Sequence, residues 1–240
     1  MSEFLWDDEN NFLLVARNMF NKKDISDLNH YILEKRKSHQ NKTERDFEVF
    51  KYGVAPDLVR LDKKLFSIWE DADIEIIEKY IPEYKYIMFP PMIRNVSKEF
   101  DFVPWHQDVS YVKAMKDKIH KKMVICFVPL DAFPNKKSTL QFAFKKGQEE
   151  LGVIIRKGHS VNVFDLKDEN KPDKDDVISF ELNSGDALFF GMYVPHRTYV
   201  RDSSMLDRNS IEFRLTTCSD RVRGKDYYDI YRHKLDVHKS

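Results

Sequence analysis

The spacing of apolar positions changes about one third of the way along the chain. In residues 25–37 apolar side chains recur every three or four positions, behind a suitable N-cap at Asp24. Asp57 and Asp73 open two further segments with the same spacing. The pattern therefore predicts a helical N-terminal layer over about residues 1–83.

From about residue 84 to 217, short β-branched and aromatic runs alternate with charged or Pro-, Gly- and Asn-containing breaks. Eight short strands separated by turns indicate a double-sheet sandwich or barrel. A helix is predicted again at Tyr227–His233, so we expect one domain over residues 1–240, with a C-terminal helix and tail over 218–240. The predicted strands are Tyr84–Phe89, Phe102–His106, Met123–Pro129, Thr139–Phe144, Ser160–Asp165, Val177–Leu182, Ala187–Tyr193 and Ser210–Thr216.

The composition argues against several classes of protein. Forty basic and forty acidic residues give no net charge, which argues against a nucleic-acid partner, and 42% hydrophobic content argues against disorder. No run of about 18 apolar residues predicts a membrane span, and the acidic N-terminus is unlike a signal peptide. Cys126 and Cys218 do not indicate a disulfide framework. We expect a cytoplasmic protein.

One histidine has a carboxylate two residues later, in Trp105-His106-Gln107-Asp108. In a strand, side chains two residues apart point to the same face, so both groups would reach one ion. His196 follows an apolar strand 88 residues after Asp108 and offers a third ligand. Two histidines and one carboxylate form the facial triad of non-haem Fe(II) oxygenases.

Charge predicts a further partner. A ferrous ion with one aspartate and a dianionic 2-oxo acid leaves a distal carboxylate that needs a cation, and arginine suits it. Arg208 and Arg214 lie on the strand after His196. Because they are six residues apart, they share one strand face, and spacing does not choose between them.

These motifs together resemble the phytanoyl-CoA dioxygenase-like family, over about residues 102–217. That family comprises Fe(II)/2-oxoglutarate-dependent oxygenases built on a double-stranded β-helix, a cupin-like jelly roll. The resemblance implies a mainly β fold with flanking helices. The motifs are Trp105-His106-Gln107-Asp108, Val128-Pro129-Leu130-Asp131, Ser184-Gly185-Asp186-Ala187-Leu188-Phe189-Phe190, His196 and Arg208-x-Ser210-Ile211-x-x-Arg214.

The resemblance also implies ligands and a reaction. His106, Asp108 and His196 match the iron ligands, and Arg208 matches the arginine that holds the 2-oxoglutarate C5 carboxylate. The cofactors would be Fe(II), 2-oxoglutarate and O₂, and the reaction would hydroxylate an unactivated C–H of a small molecule, forming succinate and CO₂. Asp108 favours hydroxylation over halogenation, because related halogenases have a small residue there.

Other residues are candidates for contacts at the site. Thr139 and Gln141 offer polar groups to 2-oxoglutarate, with an outward-facing position as the alternative. Trp105, Arg94 and Tyr111 are candidates for substrate contact; packing is the alternative for the aromatic residues, and a surface salt bridge for Arg94. The lysine-rich stretch 113–122 suggests an anionic or carrier-bound substrate, with a solvated loop as the alternative.

Two other functions stay open. One is a cupin-like metalloenzyme that does not use 2-oxoglutarate; the arginines on the last strand argue against it. The other is a jelly-roll binding module without turnover; the complete triad argues against that. Formation of succinate from 2-oxoglutarate separates all three.

Overall fold

The computed structural model describes residues 3–8, 11–39, 63–96, 103–114, 123–131, 140–143, 149–156, 163–200, 208–217, 227–231 and 234–236. The helices are α1 (Lys22–His39), α2 (Glu75–Tyr80) and α3 (Asp108–Ala114). The strands are β1 (Glu3–Asp8), β2 (Asn11–Ala16), β3 (Tyr84–Val96), β4 (Met123–Pro129), β5 (Leu140–Ala143), β6 (Val153–Arg156), β7 (Val163–Leu166), β8 (Val177–Ile178), β9 (Ala187–Gly191), β10 (His196–Thr198), β11 (Arg208–Thr217), β12 (Tyr227–Asp229) and β13 (Lys234–Asp236).

The described strands form one large antiparallel sheet and two small ones. The main sheet has the order β1-β2-β9-β4-β11-β3-β12-β13, and the minor sheet has the order β10-β5-β8. Strands β6 and β7 pair only with each other. The neighbours in each sheet are far apart in sequence, as in a jelly roll.

Both faces of the main sheet are covered. In β4, Val124 and Cys126 pack on the helix side, whereas Ile125 and Phe127 point between the two sheets. All seven β4 residues are buried, so the strand reads as one continuous apolar run.

The helix-side layer is packed through aromatic rings. This layer contains α1 and a 3₁₀ helix at Lys63–Trp69. Trp69 contacts Phe20 and Phe213 edge-on, at centroid distances of 5.0 and 5.4 Å. This layer supports the main sheet from behind.

The space between the two sheets holds a second apolar cluster, here called the interior cluster. Phe142 of the minor sheet and Phe190 of the main sheet meet in it, with ring centroids 5.0 Å apart. The cluster consists of Leu13, Val15, Met88, Val109, Met123, Ile125, Phe127, Leu140, Phe142, Leu182, Leu188, Phe190, Met192 and Val194.

A turn at residues 183–186 joins the sheet to the start of the chain. Gly185 has φ +93°, and its carbonyl accepts a hydrogen bond from Phe20 N–H at 2.9 Å. The buried Asp186 carboxylate accepts hydrogen bonds from the Asn183 and Asn18 backbone and pairs with Arg17 at 2.8 Å. Asp186 therefore serves the turn in which it lies.

Several predicted elements are confirmed. Helix α1 covers the predicted helix at residues 25–37, and α2 follows Asp73. The predicted strands at 84–89, 123–129, 139–144, 160–165, 187–193 and 210–216 fall on β3, β4, β5, β7, β9 and β11 in their described parts. Residues 57–62, where the second helix was predicted to begin, lie outside the described residues.

Two regions were predicted with the wrong element type. The layer over residues 1–83 is not wholly helical, because it begins with β1 and β2, and β2 pairs with β9. The predicted helix at 227–233 is also wrong: its first residues form β12, which pairs with β3 and buries Tyr228. Both segments gain strand partners remote in sequence, which periodicity does not reveal.

Smaller corrections concern the β core. No strand occupies residues 103–106; His106 makes only an isolated bridge. Strand β6 was not predicted, and the strand expected at 177–182 shrinks to Val177–Ile178. No helix in the described ranges has the length and apolar character needed to cross a lipid bilayer.

Candidate metal centre

Three polar side chains predicted as metal ligands lie together in the structure. One ligand atom from each of His106, Asp108 and His196 lies within 4.8 Å of the other two, and His106 Nε2 is 3.9 Å from Asp108 Oδ1. The three residues are 2%, 5% and 4% exposed. Buried polar groups of this kind need partners.

A backbone bridge brings the two histidines together. His106 N–H donates to His196 C=O and His196 N–H donates to His106 C=O, both at 2.9 Å. They form an isolated antiparallel bridge, and their ring centroids are 4.1 Å apart. The main chain itself therefore fixes the separation of the two imidazoles, although they are 90 residues apart in sequence.

Asp108 reaches the site by a route that differs from the prediction. It is the first residue of α3 rather than a strand residue on the same face as His106, so the argument from strand alternation is wrong here. The next backbone N–H, that of Val109, donates to Met192 C=O at 3.1 Å. The chain turns directly after the bridge, and that turn brings the carboxylate back beside the imidazole.

Each imidazole is oriented by a carbonyl two residues before it. His106 Nδ1 lies 2.8 Å from Pro104 O, and His196 Nδ1 lies 2.9 Å from Val194 O. A carbonyl only accepts, so Nδ1 carries the proton and Nε2 has a free lone pair. His106 Nε2 is buried and has no hydrogen-bond partner among the described residues.

The charge states also fit a divalent ion. Burial, followed by the nearby His196, lowers the pKa of His106 to about 3, so its imidazole is neutral. Burial alone would raise the pKa of Asp108. The neighbouring His196, His106, Arg214 and Arg94 groups outweigh burial and hold that pKa below its usual value. The donor set of two imidazoles and one carboxylate fits iron(II).

Aromatic rings surround the histidines. Phe190 and Phe142 contact the His196 ring at centroid distances of 4.9 and 5.9 Å. Tyr111 lies edge-on to His106 at 5.4 Å, and its hydroxyl accepts a hydrogen bond from Phe164 N–H at 3.4 Å. Tyr111, a predicted substrate contact, therefore lies beside the three ligand candidates.

Sequence reasoning missed Gln107, which is fully buried. Its Nε2 donates to Tyr193 O at 2.6 Å and to Glu149 O at 3.2 Å, and its Oε1 accepts from Leu151 N–H at 2.8 Å. The amide thus ties together the segments before His196 and before β6. An uncharged polar residue between two candidate ligands was the available signal.

The two arginines of β11 lie on its interior-facing side. Arg214 pairs in register with Ile125, which belongs to the interior cluster, and Arg208 has the same parity along the strand. The charge of Arg214 contributes to lowering the pKa of Asp108. Arg208 is the first residue of β11, about 20 Å along the strand from Arg214.

Arg94 pairs with a carboxylate that sequence reasoning did not identify. Its Nε lies 2.9 Å from Glu212 Oε1, and the two side chains are 14% and 10% exposed. The predicted surface salt bridge is therefore buried instead. Burial acts to lower the pKa of Arg94, but the carboxylates of Glu212 and Asp108 raise it above its usual value.

Gln141 and Trp105 face away from the three ligand candidates. Strand β5 pairs Phe142 with His196 and Gln141 with Arg197, so Gln141 lies on the opposite face of the minor sheet. Gln141 Oε1 accepts from Arg197 Nε and Nη2 at 2.9 and 2.7 Å, and that guanidinium lies 4.8 Å from the Trp105 ring centroid. The suggested cosubstrate and substrate roles of these two side chains do not fit this placement.

Two predicted features lie outside the described residues. They are Thr139, suggested as a cosubstrate contact, and residues 115–122 of the lysine-rich stretch.

Comparison with known proteins agrees with the geometry. A family model described as "Phytanoyl-CoA dioxygenase (PhyH)" matches residues 13–208. A solved structure titled "non-heme monooxygenase; ThoJ apo" aligns with a TM-score of 0.62 and 12% identity, covering 85% of this chain and 74% of that one. The ThoJ–Ni complex aligns with a TM-score of 0.56 and 10% identity, over 85% and 73%.

A third solved structure is an epimerase, SnoN, in complex with Fe³⁺, alpha-ketoglutarate and nogalamycin RO. It aligns with a TM-score of 0.54 and 10% identity, covering 85% of this chain and 78% of that one. At these identities the likeness shows the fold, and it confirms the predicted mainly β, cupin-like jelly roll with flanking helices. No curated protein matches the chain.

Proposed function

The chain belongs to the phytanoyl-CoA dioxygenase (PhyH) family, and from this we propose that it is an Fe(II)/2-oxoglutarate-dependent oxygenase. The observation that carries the proposal is the convergence of His106, Asp108 and His196 within 4.8 Å. The Nδ1 atoms of both histidines face carbonyls, so both free lone pairs are on Nε2. These three residues would hold the iron.

The protein's own groups set the conditions for the chemistry. Two imidazoles and one carboxylate would bind the ion and would leave room for 2-oxoglutarate and O₂. When bound, the iron supplies the oxidising chemistry that cleaves O₂ and 2-oxoglutarate. Phe142 and Phe190 form an apolar wall behind His196, which excludes water from that side.

The cosubstrate needs a cation for its distal carboxylate. We assign this role to an interior-facing arginine of β11: Arg208, by its position in the family motif, or Arg214, which lies near Asp108. Either guanidinium can pair with the carboxylate through two parallel hydrogen bonds.

The proposed reaction is hydroxylation of an unactivated C–H of a small molecule. The substrate, 2-oxoglutarate and O₂ are consumed, and the hydroxylated product, succinate and CO₂ form; one oxygen atom enters the product and the other enters succinate. The intact aspartate at position 108 supports hydroxylation rather than halogenation.

The test is an assay of purified protein with Fe(II), ascorbate and 2-oxoglutarate. We expect slow succinate formation, which is lost in His106→Ala and Asp108→Ala and kept in the matched control His30→Ala, a solvent-exposed histidine on α1. Metal-dependent activity without succinate would favour a cupin-like metalloenzyme. Absence of both turnover and 2-oxoglutarate binding would favour a binding module.

A further inference from the structure

The interior face of the barrel carries a buried ion pair beside the three proposed ligands. Glu212 pairs in register with Phe127 of the interior cluster, and Arg94 reaches the same face from β3. Their ion contact is 2.9 Å long. The carboxylate of Asp108 acts on the guanidinium of Arg94, so the ion pair lies near the proposed ligands.

This pair retains unused binding capacity. The shortest contact joins Arg94 Nε to Glu212 Oε1, and because a guanidinium carries five N–H donors, this contact does not use all of them. Glu212 likewise has one carboxylate oxygen outside this contact. Donors and acceptors with remaining capacity therefore lie next to each other inside the barrel.

Stability alone is a weak reason for such a pair. Two charges removed from water are costly, and well-packed apolar residues at the same positions are often as stable. Phe127 and Met92, the register partners of Glu212, are apolar. A polar pair in this setting suits recognition of a polar ligand better than support of the sheet.

The balance of charge selects the ligand class. A simple anion that took Arg94 would leave the Glu212 carboxylate buried without a partner, and a simple cation would do the same to Arg94. A zwitterion brings a carboxylate for the guanidinium and an ammonium group for the carboxylate. Both buried charges then remain neutralised when the ligand binds.

We propose that Arg94 and Glu212 bind the carboxylate and the ammonium group of a zwitterionic substrate, a free α-amino acid. This inference rests on the proposed oxygenase function, since it assigns the substrate of that site. Arg94 and Glu212 act as specificity-determining residues, and they direct the C–H groups of the amino acid side chain into the barrel.

The first test uses the wild-type protein with Fe(II) and 2-oxoglutarate. The twenty proteinogenic L-amino acids are titrated calorimetrically without oxygen, and succinate is then measured in air. We expect at least one to bind and to raise succinate formation. Its N-acetyl derivative and its methyl ester, each lacking one charge, should bind at least tenfold more weakly.

Two results would overturn the inference. One is a protein that binds Fe(II) and 2-oxoglutarate and forms succinate but binds no free amino acid. The other is equal affinity for the amino acid and its N-acetyl or ester form. Absence of Fe(II) and 2-oxoglutarate binding would instead remove the proposed function itself, so the two failures are distinguishable.

A second test neutralises the pair. In the double variant Arg94→Gln/Glu212→Gln no charge is left buried alone, and the side chains keep similar volumes. We expect the Kd of the amino acid to rise at least tenfold more than the Kd of 2-oxoglutarate. The matched control is Lys167→Gln/Glu169→Gln, which removes a surface ion pair. Wild-type affinity for the amino acid in the first double variant would refute the assignment.

Discussion

At the scale of single residues, the site depends on which nitrogen of each imidazole carries the proton. In both histidines, Nδ1 faces the carbonyl of the residue two positions earlier in the chain. With Nδ1 engaged in this way, Nε2 of His106 is buried without a hydrogen-bond partner in the described part of the molecule. An unsatisfied buried lone pair is costly, and a metal ion removes that cost.

The choice between two arginines is also a question about residues. If Arg208 binds the C5 carboxylate, Arg208→Ala should raise the Kd for 2-oxoglutarate at least tenfold, because a charge-assisted bidentate contact is lost. Arg214→Ala should then have the smaller effect. Calorimetric titration of both variants without oxygen checks this. The reverse order would assign the contact to Arg214.

Gln107 gives a second prediction at this scale. Gln107→Leu removes three hydrogen bonds and leaves Leu151 N–H and Tyr193 C=O without that partner. We expect a loss of about 1–3 kcal/mol of unfolding free energy in urea. Metal affinity should fall about 10–100-fold, because the segments carrying the ligands are less well held.

The control for Gln107 is Asn170→Ala, which removes an exposed side-chain hydrogen bond to Gly152 O. It should leave metal affinity close to that of the wild type. Unchanged metal affinity in Gln107→Leu would show that the amide does not position the ligands.

At the scale of elements, strand alternation predicts some positions and not others. It places Arg208 and Arg214 on one face because β11 is a continuous strand. It fails at Asp108, because the chain leaves the bridge at His106 and starts α3. The turn after His106 is held by the hydrogen bond from Val109 N–H to Met192 C=O, and Met192 lies 84 positions after Asp108. No local sequence pattern reveals that contact.

Gln141 shows that the direction of a side chain in a short strand is also hard to predict from sequence. The position of β5 was predicted correctly, but a short strand buried on both sides does not reveal which of its faces meets the site. Only the register with β10, which sets Phe142 against His196, resolves the direction. Pairing between distant strands is decided by tertiary packing rather than by local propensity.

The turn before β9 gives a prediction for an element. Gly185 has φ +93°, and an added Cβ would lie 2.5 Å from Phe20 O. Gly185→Ala should therefore lower the unfolding free energy by about 1–3 kcal/mol. Urea unfolding followed by circular dichroism measures it.

Gly152→Ala is the matched control for that turn. Its Cβ would meet only side-chain atoms of Asn170 and Lys167, at 3.1 and 3.3 Å. Long side chains can move aside, so this variant should lose less stability than Gly185→Ala. Equal losses in the two variants would argue against strain at Gly185.

At the scale of the whole molecule, three layers lie in order: helices, main sheet and minor sheet. The sequence pattern predicted the helical layer and the β core. It did not predict the division of that core into a main and a minor sheet. The N-terminal strand β2 was not predicted, because Phe12–Ala16 form an apolar run compatible with either a helix or a buried strand. Strand β2 pairs with β9, which is remote in sequence, so this pairing forms only when the whole chain folds.

Binding at the centre should stabilise the whole molecule. An ion that binds only the folded chain adds about 2.7 kcal/mol at 100 times its Kd. We therefore expect Tm to rise on adding Fe(II) without oxygen and to return on adding a chelator. His30→Ala should show the same rise, and Asp108→Ala should show none. A rise of equal size in Asp108→Ala would point to binding elsewhere.

The most direct measurement of the central claim is equilibrium dialysis of Fe(II) against the wild-type protein and His196→Ala without oxygen. We predict one tightly bound ion per wild-type chain and a loss of that ion in the variant, because one of three ligands is gone. Wild-type binding by His196→Ala, or no bound iron in the wild-type protein, would contradict the account.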